Sequence, residues 1–186
     1  MISRKQRSER RGWLAQALAR YEKDKQRNVL AKPGQHKFIL VLDHLKSGFN
    51  VPKIFRSAET FGAHEIHLVN IGPFDPSPAK GALRKVPARF WDSFEECHKD
   101  LVSRDYQLFA LEPSSACSLT NCTLPEKSAF ILGHEEMGIS FSISDYPDIQ
   151  SLSIPQFGET QSLNVSIAAS IVMFEYIRQC SATDNR

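Results

Sequence analysis

Three short stretches of this chain place polar side chains where the surrounding pattern calls for a turn. In Ile154-Pro-Gln-Phe-Gly-Glu-Thr-Gln-Ser-Leu-Asn-Val-Ser-Ile-Ala-Ala-Ser170, a strand end, a polar turn and a helix start occupy seventeen positions. Pro155 cannot continue a central strand, and Gly158 admits backbone conformations that a side chain would block. Ser162 is placed to cap the apolar run Leu163, Val165, Ile167, Ala168, Ile171, Val172, Met173 and Phe174, which leaves Asn164 and Ser166 as polar groups needing partners at an otherwise buried helix start. An ordinary cap explains them as well as a ligand does. The second stretch, Phe130-Ile-Leu-Gly-His-Glu-Glu-Met-Gly-Ile-Ser140, sets the carboxylates Glu135 and Glu136 between Gly133 and Gly138. The third, Asn50-Val-Pro-Lys-Ile-Phe-Arg-Ser-Ala58, carries Asn50 and Arg56 six residues apart. Such groups position a ligand and assist the movement of a proton. Neither a GxGxxG fingerprint nor a GK[ST] phosphate loop is present, so dinucleotide and P-loop chemistry fit poorly.

The elements that must hold these stretches read as alternating strands and helices. Phe38–Leu42 is a continuous apolar run suited to a strand buried on both faces, the mark of a parallel sheet. Asn50-Val-Pro opens a helix whose Ile54, Phe55, Ala58 and Phe61 face the sheet, and Gly62 closes it before a strand over Glu65–Asn70. A Pro- and Gly-rich loop spans Ile71–Val86. A helix around Phe94–Ser103 then leads to strands at Tyr106–Leu111, Ala129–Leu132 and Leu152–Ile154 and a C-terminal helix. In open sheets of this kind ligands settle beyond the carboxyl ends of the strands, where all three polar stretches fall.

Charge divides the 186-residue chain sharply. Residues 1–37 hold eleven Lys or Arg against Glu9, Glu22 and Asp24, a balance of +8, and the remainder has 12 cations against 18 carboxylates, a balance of −6. A basic arm on an acidic body is an electrostatic handle for nucleic-acid phosphates. Trp13, Leu14, Ala17, Leu18 and Tyr21 recur at helical spacing and predict a docked amphipathic helix, with Asn28–Gln35 as linker. The domains expected are thus a basic N-terminal extension (1–37), an α/β domain (38–180) and a tail (181–186). No apolar run reaches membrane-span length and no signal peptide is evident, so a cytoplasmic protein is expected. Cys97, Cys117, Cys122 and Cys180 lack paired CxxC spacing, which favours reduced, structural thiols. His64 and His67 read as incidental, and no metal is expected.

In order and spacing, N50xxxxxR56SA, I131LGxExxGIS140 and I154PxxGxxxSLNVSxA168 resemble the three motifs of the SpoU/TrmH family of RNA 2′-O-ribose methyltransferases, within the SPOUT superfamily. The resemblance spans about residues 38 to 178. It implies a parallel-sheet α/β SPOUT fold whose C-terminal segment threads a trefoil knot, an exception to the near absence of knots. It also implies S-adenosylmethionine as cofactor, contacted near Leu111, Gly133, Ile154, Ser162 and Leu163. The catalytic neighbourhood carried over is Asn50, Arg56, Glu135, Ser162 and Asn164, with Arg56 engaging the ribose 2′-hydroxyl. A homodimer is implied, in which Arg7, Arg10 or Arg11 of the partner's arm completes the site. The compact chain, lacking a large N-terminal RNA-binding domain, points toward tRNA, with rRNA as the alternative.

A guanidinium stays charged at neutral pH and is a poor general base. Arg56 is therefore expected to grip the adjoining phosphate and stabilise the developing alkoxide, while a phosphate oxygen or water takes the proton. Lys53, Lys80, Arg84, Lys85 and Arg89 extend the phosphate track, with Ala79–Val86 as an RNA-facing loop. Recognition of a 2′-hydroxyl confines the substrate to RNA. Two departures from the family pattern, Val51-Pro-Lys-Ile in the first motif and His134 before Glu135 in the second, remove no key polar group. The other readings are a non-catalytic RNA-binding module, which the retained Arg56 and Asn164 oppose, and a base methyltransferase, which Arg56 opposes.

Overall fold

The structure, a computed structural model, describes residues 4–160 and 162–183, with side chains described from residue 12 to residue 181. Six parallel strands form one sheet in the order β3-β2-β1-β5-β4-β6: β1 Ile39–Asp43, β2 Glu65–Val69, β3 Ala88–Trp91, β4 Gln107–Leu111, β5 Ser128–Leu132 and β6 Ile149–Leu152. The three central runs β2, β1 and β5 are buried along their whole length, as the continuous apolar sequence of a sheet covered on both faces requires. Leu40 and Leu42 point into one core with helices α2 (Asn50–Thr60) and α4 (Val165–Thr183), and Ile39 and Val41 into the other with α3 (Phe94–Ser103).

Helix α3 starts where Ser93 accepts the Glu96 amide at 3.3 Å, and it carries Glu95 and Glu96 in its first turn, where the helix dipole favours negative charge. Helix α2 stops at Gly62, whose φ of +65° is open to glycine and costly for a side chain.

The N-terminal helix α1 (Arg4–Asn28) is docked along part of its length. Ala17 and Tyr21 are buried, Tyr21 edge-on to Phe74 at 5.1 Å, whereas Trp13, Leu14 and Leu18 are about half exposed. Its last residue, Asn28, is not a linker residue: buried, it donates to the carbonyls of Leu83 (2.5 Å) and Val86 (2.7 Å) and accepts from the Ala88 amide (2.9 Å).

Three further expectations are corrected. Strand β3 was hidden in the sequence because it is a partly exposed edge with Arg89 in its middle. The last strand is Ile149–Leu152, three residues earlier than expected at its start: beyond it Ser153 forms an isolated bridge with Ser118. The final helix is capped by Asn164 and not by Ser162, since Asn164 Oδ1 accepts both the amide (3.0 Å) and the hydroxyl (2.6 Å) of Ser166. Its apolar run is also not wholly buried, with Leu163, Ile167 and Phe174 on the surface.

Strand β6 lies at the outer edge beyond β4, yet α4 packs on α2, where Ser170 Oγ meets Ser57 Oγ at 3.1 Å. Residues 153–164 therefore cross back over the carboxyl ends of the strands, and this return carries Asn164 to Asn50.

Candidate functional site

Three loops leave the carboxyl ends of β1, β5 and β6 and are tied together by side chains. Asp43, the one charge in β1 and wholly buried, accepts the amide (2.5 Å) and hydroxyl (2.8 Å) of Ser140. Lys46 donates to Glu136 at 2.7 Å, and this partner holds the Glu136 carboxyl below its usual range. The loop after β5 closes on itself through reciprocal bonds between the His134 and Gly138 backbones, 2.7 and 2.9 Å. Gly138 has φ of +73°, and a Cβ on Gly133 would collide with the Gly138 backbone, so both glycines of the second motif are structurally required. His134 Nδ1 accepts the amides of Glu136 (3.0 Å) and Met137 (3.3 Å), which aims Glu135 outward.

The result is a directed chain of polar groups. Ser166 N–H donates to Asn164 Oδ1, Asn164 Nδ2 to Asn50 Oδ1 at 3.2 Å, and Asn50 Nδ2 to Glu135 Oε1 at 2.7 Å. Each amide's orientation follows from its neighbour, and the chain ends on a carboxylate. Asn50, Glu135 and Asn164 come from three motifs up to 114 residues apart and are exposed to solvent, so they hold their geometry while remaining open to a ligand.

Beside this chain lies a cavity of about 500 Å³, within the range of small-molecule sites. All five residues expected at the cofactor, Leu111, Gly133, Ile154, Ser162 and Leu163, line it. Its walls combine the apolar ends of β4, β5 and β6 with the carboxylates Glu112 and Glu135. That donor set suits a ligand with a flat apolar ring, ribose hydroxyls and positive charge.

Arg56 is exposed and forms no side-chain hydrogen bond or ion pair among the described residues. It follows Asn50 by about 9 Å along the helix axis, and no bond joins it to the amide chain. Ser162 lines the cavity without a hydrogen bond among the described residues.

Of the basic residues, Lys53 and Lys80 are exposed and unpartnered among the described residues, Arg84 lies 3.5 Å from Asp24, and Lys85 pairs with Glu59 at 2.7 Å. Arg89 is committed to Glu65 (2.8 Å) and Asp100 (3.0 Å). The side chains of Arg7, Arg10 and Arg11 lie outside the described residues. Sequence reasoning missed the clamp Asp43–Ser140 and the wall residue Glu112, which bonds Ser151 at 3.1 Å. A lone carboxylate ending an apolar strand was the available signal for Asp43.

Comparison with known proteins places these features in a family setting. Residues 37–174 match the model of the SpoU rRNA Methylase family. The 23S rRNA (guanosine-2′-O-)-methyltransferase RlmB of Neisseria meningitidis serogroup B is 27% identical over 161 residues, covering 82% of this chain and 62% of the relative. The chain thus spans about three fifths of that relative's length. Among solved structures, the TrmH/SpoU tRNA modifying enzyme of A. aeolicus superposes with a TM-score of 0.72 at 21% identity, covering 88% of this chain and 85% of that one. The SpoU methyltransferase AviRb of Streptomyces viridochromogenes, in complex with AdoMet, gives 0.71 at 23% identity, covering 81% and 63%.

Proposed function

The chain belongs to the SpoU methylase family, and on that premise we propose that it methylates a ribose 2′-hydroxyl of structured RNA, tRNA in the first instance, using S-adenosylmethionine. The observation that carries this reading is the convergence of Asn50, Glu135 and Asn164 beside a ligand-sized cavity, with an unpaired Arg56 on the same helix as Asn50. When bound in the cavity, S-adenosylmethionine supplies an electrophilic methyl group on a sulfonium sulfur. Leu111, Ile154 and Leu163 hold its apolar ring, and backbone around Gly133 reads its edge. Asn50, fixed between Glu135 and Asn164, orients the ribose, with Ser162 as a further hydroxyl partner. Arg56 grips the neighbouring phosphate through its fork and stabilises negative charge building on the 2′-oxygen, whose proton passes to a phosphate oxygen or water. Preorganisation of this kind is the main contribution a protein makes to such a displacement.

The preference for tRNA rests on compactness: the chain covers most of the tRNA modifying relative from A. aeolicus but only about three fifths of the rRNA methylating relative from Neisseria. Methylation of rRNA is the alternative. A trefoil knot is supported by the return of residues 153–164 across the strand ends, and a homodimer by the surface position of Leu163, Ile167 and Phe174 on and before α4. In that dimer Arg7, Arg10 or Arg11 of the partner's arm completes the site, and Lys53, Lys80, Arg84 and Lys85 lie on the RNA side. The arm (1–37) is the RNA-binding extension of the catalytic domain (38–180), with residues 181–186 as a tail. The cytoplasm is the compartment; among the described residues no helix is long and apolar enough to cross a membrane.

The test is incubation of the purified protein with tritiated S-adenosylmethionine and separate unmodified tRNA and rRNA pools, followed by mass spectrometry of the labelled nucleosides. Label on a 2′-O-methylnucleoside establishes the reaction and names the RNA. Cofactor binding without label in either pool favours the non-catalytic module instead.

A further inference from the structure

Away from the methyl-transfer cavity, and sharing no residue with it, a second cleft opens between α1 and the turns at Ser77–Ala79 and Ala82–Arg84. We propose that this cleft seats a backbone phosphate of the substrate RNA, an inference that rests on the RNA-methylating reading above. Its volume is about 220 Å³, below the range of sites that enclose a drug-sized molecule and sufficient for a phosphodiester entering from solvent. The walls present Arg20, Lys23, Arg27 and Arg84 against the single carboxylate of Asp24.

Two of the four cations are fixed and two are free. Arg20 is held by Asp75 at 3.3 Å, and Asp75 is itself tied to the amide (3.1 Å) and hydroxyl (2.7 Å) of Ser77. Arg84 is held near Asp24 at 3.5 Å. Gly81 across the cleft has φ of +88°, and a Cβ there would meet Arg84 Nη2 at 2.8 Å, so glycine at this position gives the guanidinium its room. Lys23 and Arg27 are exposed and have no hydrogen bond or ion pair among the described residues. Arg20, Lys23 and Arg27 follow the i, i+3, i+7 spacing of one helix face, so the free charges stand beside the fixed ones. Forked guanidiniums with compact ammonium groups match the oxygens of a phosphate, and the cleft continues the +8 arm toward the body of the protein. Because Asn28 locks the end of α1 to residues 83–88, the cleft has a fixed geometry.

The experiment uses the full chain, the charge reversal K23E/R27E and the conservative K23R/R27K, with methyl transfer measured across RNA and salt concentrations. S-adenosylmethionine binding is followed by calorimetry. In K23E/R27E the RNA KM should rise about tenfold or more near physiological salt, and the slope of log affinity against log salt should shrink by about 2, one for each lost phosphate contact. The rate at saturating RNA and cofactor binding should stay as in the wild type, and K23R/R27K should restore KM. Unchanged KM and salt slope in K23E/R27E, with methyl transfer intact, overturns the cleft alone. A wild type that methylates neither RNA pool overturns the underlying reading with it. Inorganic phosphate separates the two sources of the anion: phosphate binding abolished by K23E/R27E while the RNA KM stays put would make the cleft a free-anion site and overturn the RNA assignment.

Discussion

The sheet carries two polar clusters built from similar residues, one at each end of its strands, and they are organised in opposite ways. At the amino end, Glu65 opens β2 and closes a ring of four ions: Arg104 bonds it at 2.6 Å and Asp100 at 2.9 Å, and Arg89 bonds Asp100 at 3.0 Å and Glu65 at 2.8 Å. Buried His67 donates from Nε2 to Glu65 at 3.0 Å while its Nδ1 accepts from Trp91 at 3.2 Å, a pattern that fixes the neutral tautomer. Every formal charge in the ring has an opposite neighbour. At the carboxyl end, Asn50, Glu135 and Asn164 are exposed, and Arg56 beside them has no partner among the described residues. A closed polar cluster contributes to the fold; an open one keeps its bonding capacity for something that is not protein.

Substitutions should separate the two ends. Removing the hub of the closed ring with Glu65→Ala leaves two guanidiniums and a histidine without their acceptor, and should cost about 3–5 kcal/mol of stability by urea or thermal unfolding. A loss under about 1 kcal/mol would mean that the ring is not structural. Arg56→Ala should reverse the pattern, lowering the methyl-transfer rate by roughly 10² to 10³ while stability stays within about 0.5 kcal/mol. Arg56→Lys keeps the charge and loses the fork, so full activity in that variant would remove bidentate gripping from the mechanism. Asn164→Ala touches both functions, because Asn164 caps α4 and orients Asn50; it should cost about 1 kcal/mol and some activity together.

The smallest effect concerns pH. Burial alone would raise Glu65, but its bonds from His67 and Arg104 and the Arg104 charge outweigh that and hold it at about 2, while burial lowers His67 from its ordinary 6.5 despite Glu65. Both groups bind protons more readily when unfolded, so both contribute stability above their ordinary values. Stability should therefore fall as pH drops below about 6.5 and more steeply from 4.5 toward 2. Glu65→Gln should flatten the acid limb, which a series of unfolding curves would show.

The open end was far more legible in the sequence than the closed one. Strands β1, β2 and β5 announce themselves as apolar runs, α2 and α3 by their spacing and turn residues, and the three polar stretches by lying just past strand ends. Asn50, Glu135 and Asn164 were each visible as polar residues out of place, although their mutual bonds depend on a chain return that periodicity does not encode. The ring at the amino end left no such signal: Glu65, His67, Arg89, Asp100 and Arg104 look like ordinary surface residues until β3 is placed beside β2. Arg89 was accordingly assigned to RNA when its charge is engaged inside the protein. The cap was misplaced by two residues because Ser162 and Asn164 are both good N-cap residues, and only the bonds to Ser166 distinguish them.

The anchorage of Asn28 also has a consequence in time. Its partners at Leu83, Val86 and Ala88 lie 55, 58 and 60 residues further along the chain. At a synthesis rate of roughly 5–20 residues per second, α1 precedes the surface it docks on by about 3–12 s. For that interval a strongly cationic helix with its apolar face uncovered emerges beside the RNA of the ribosome that is making it, and the completion of β3 is what calls it home.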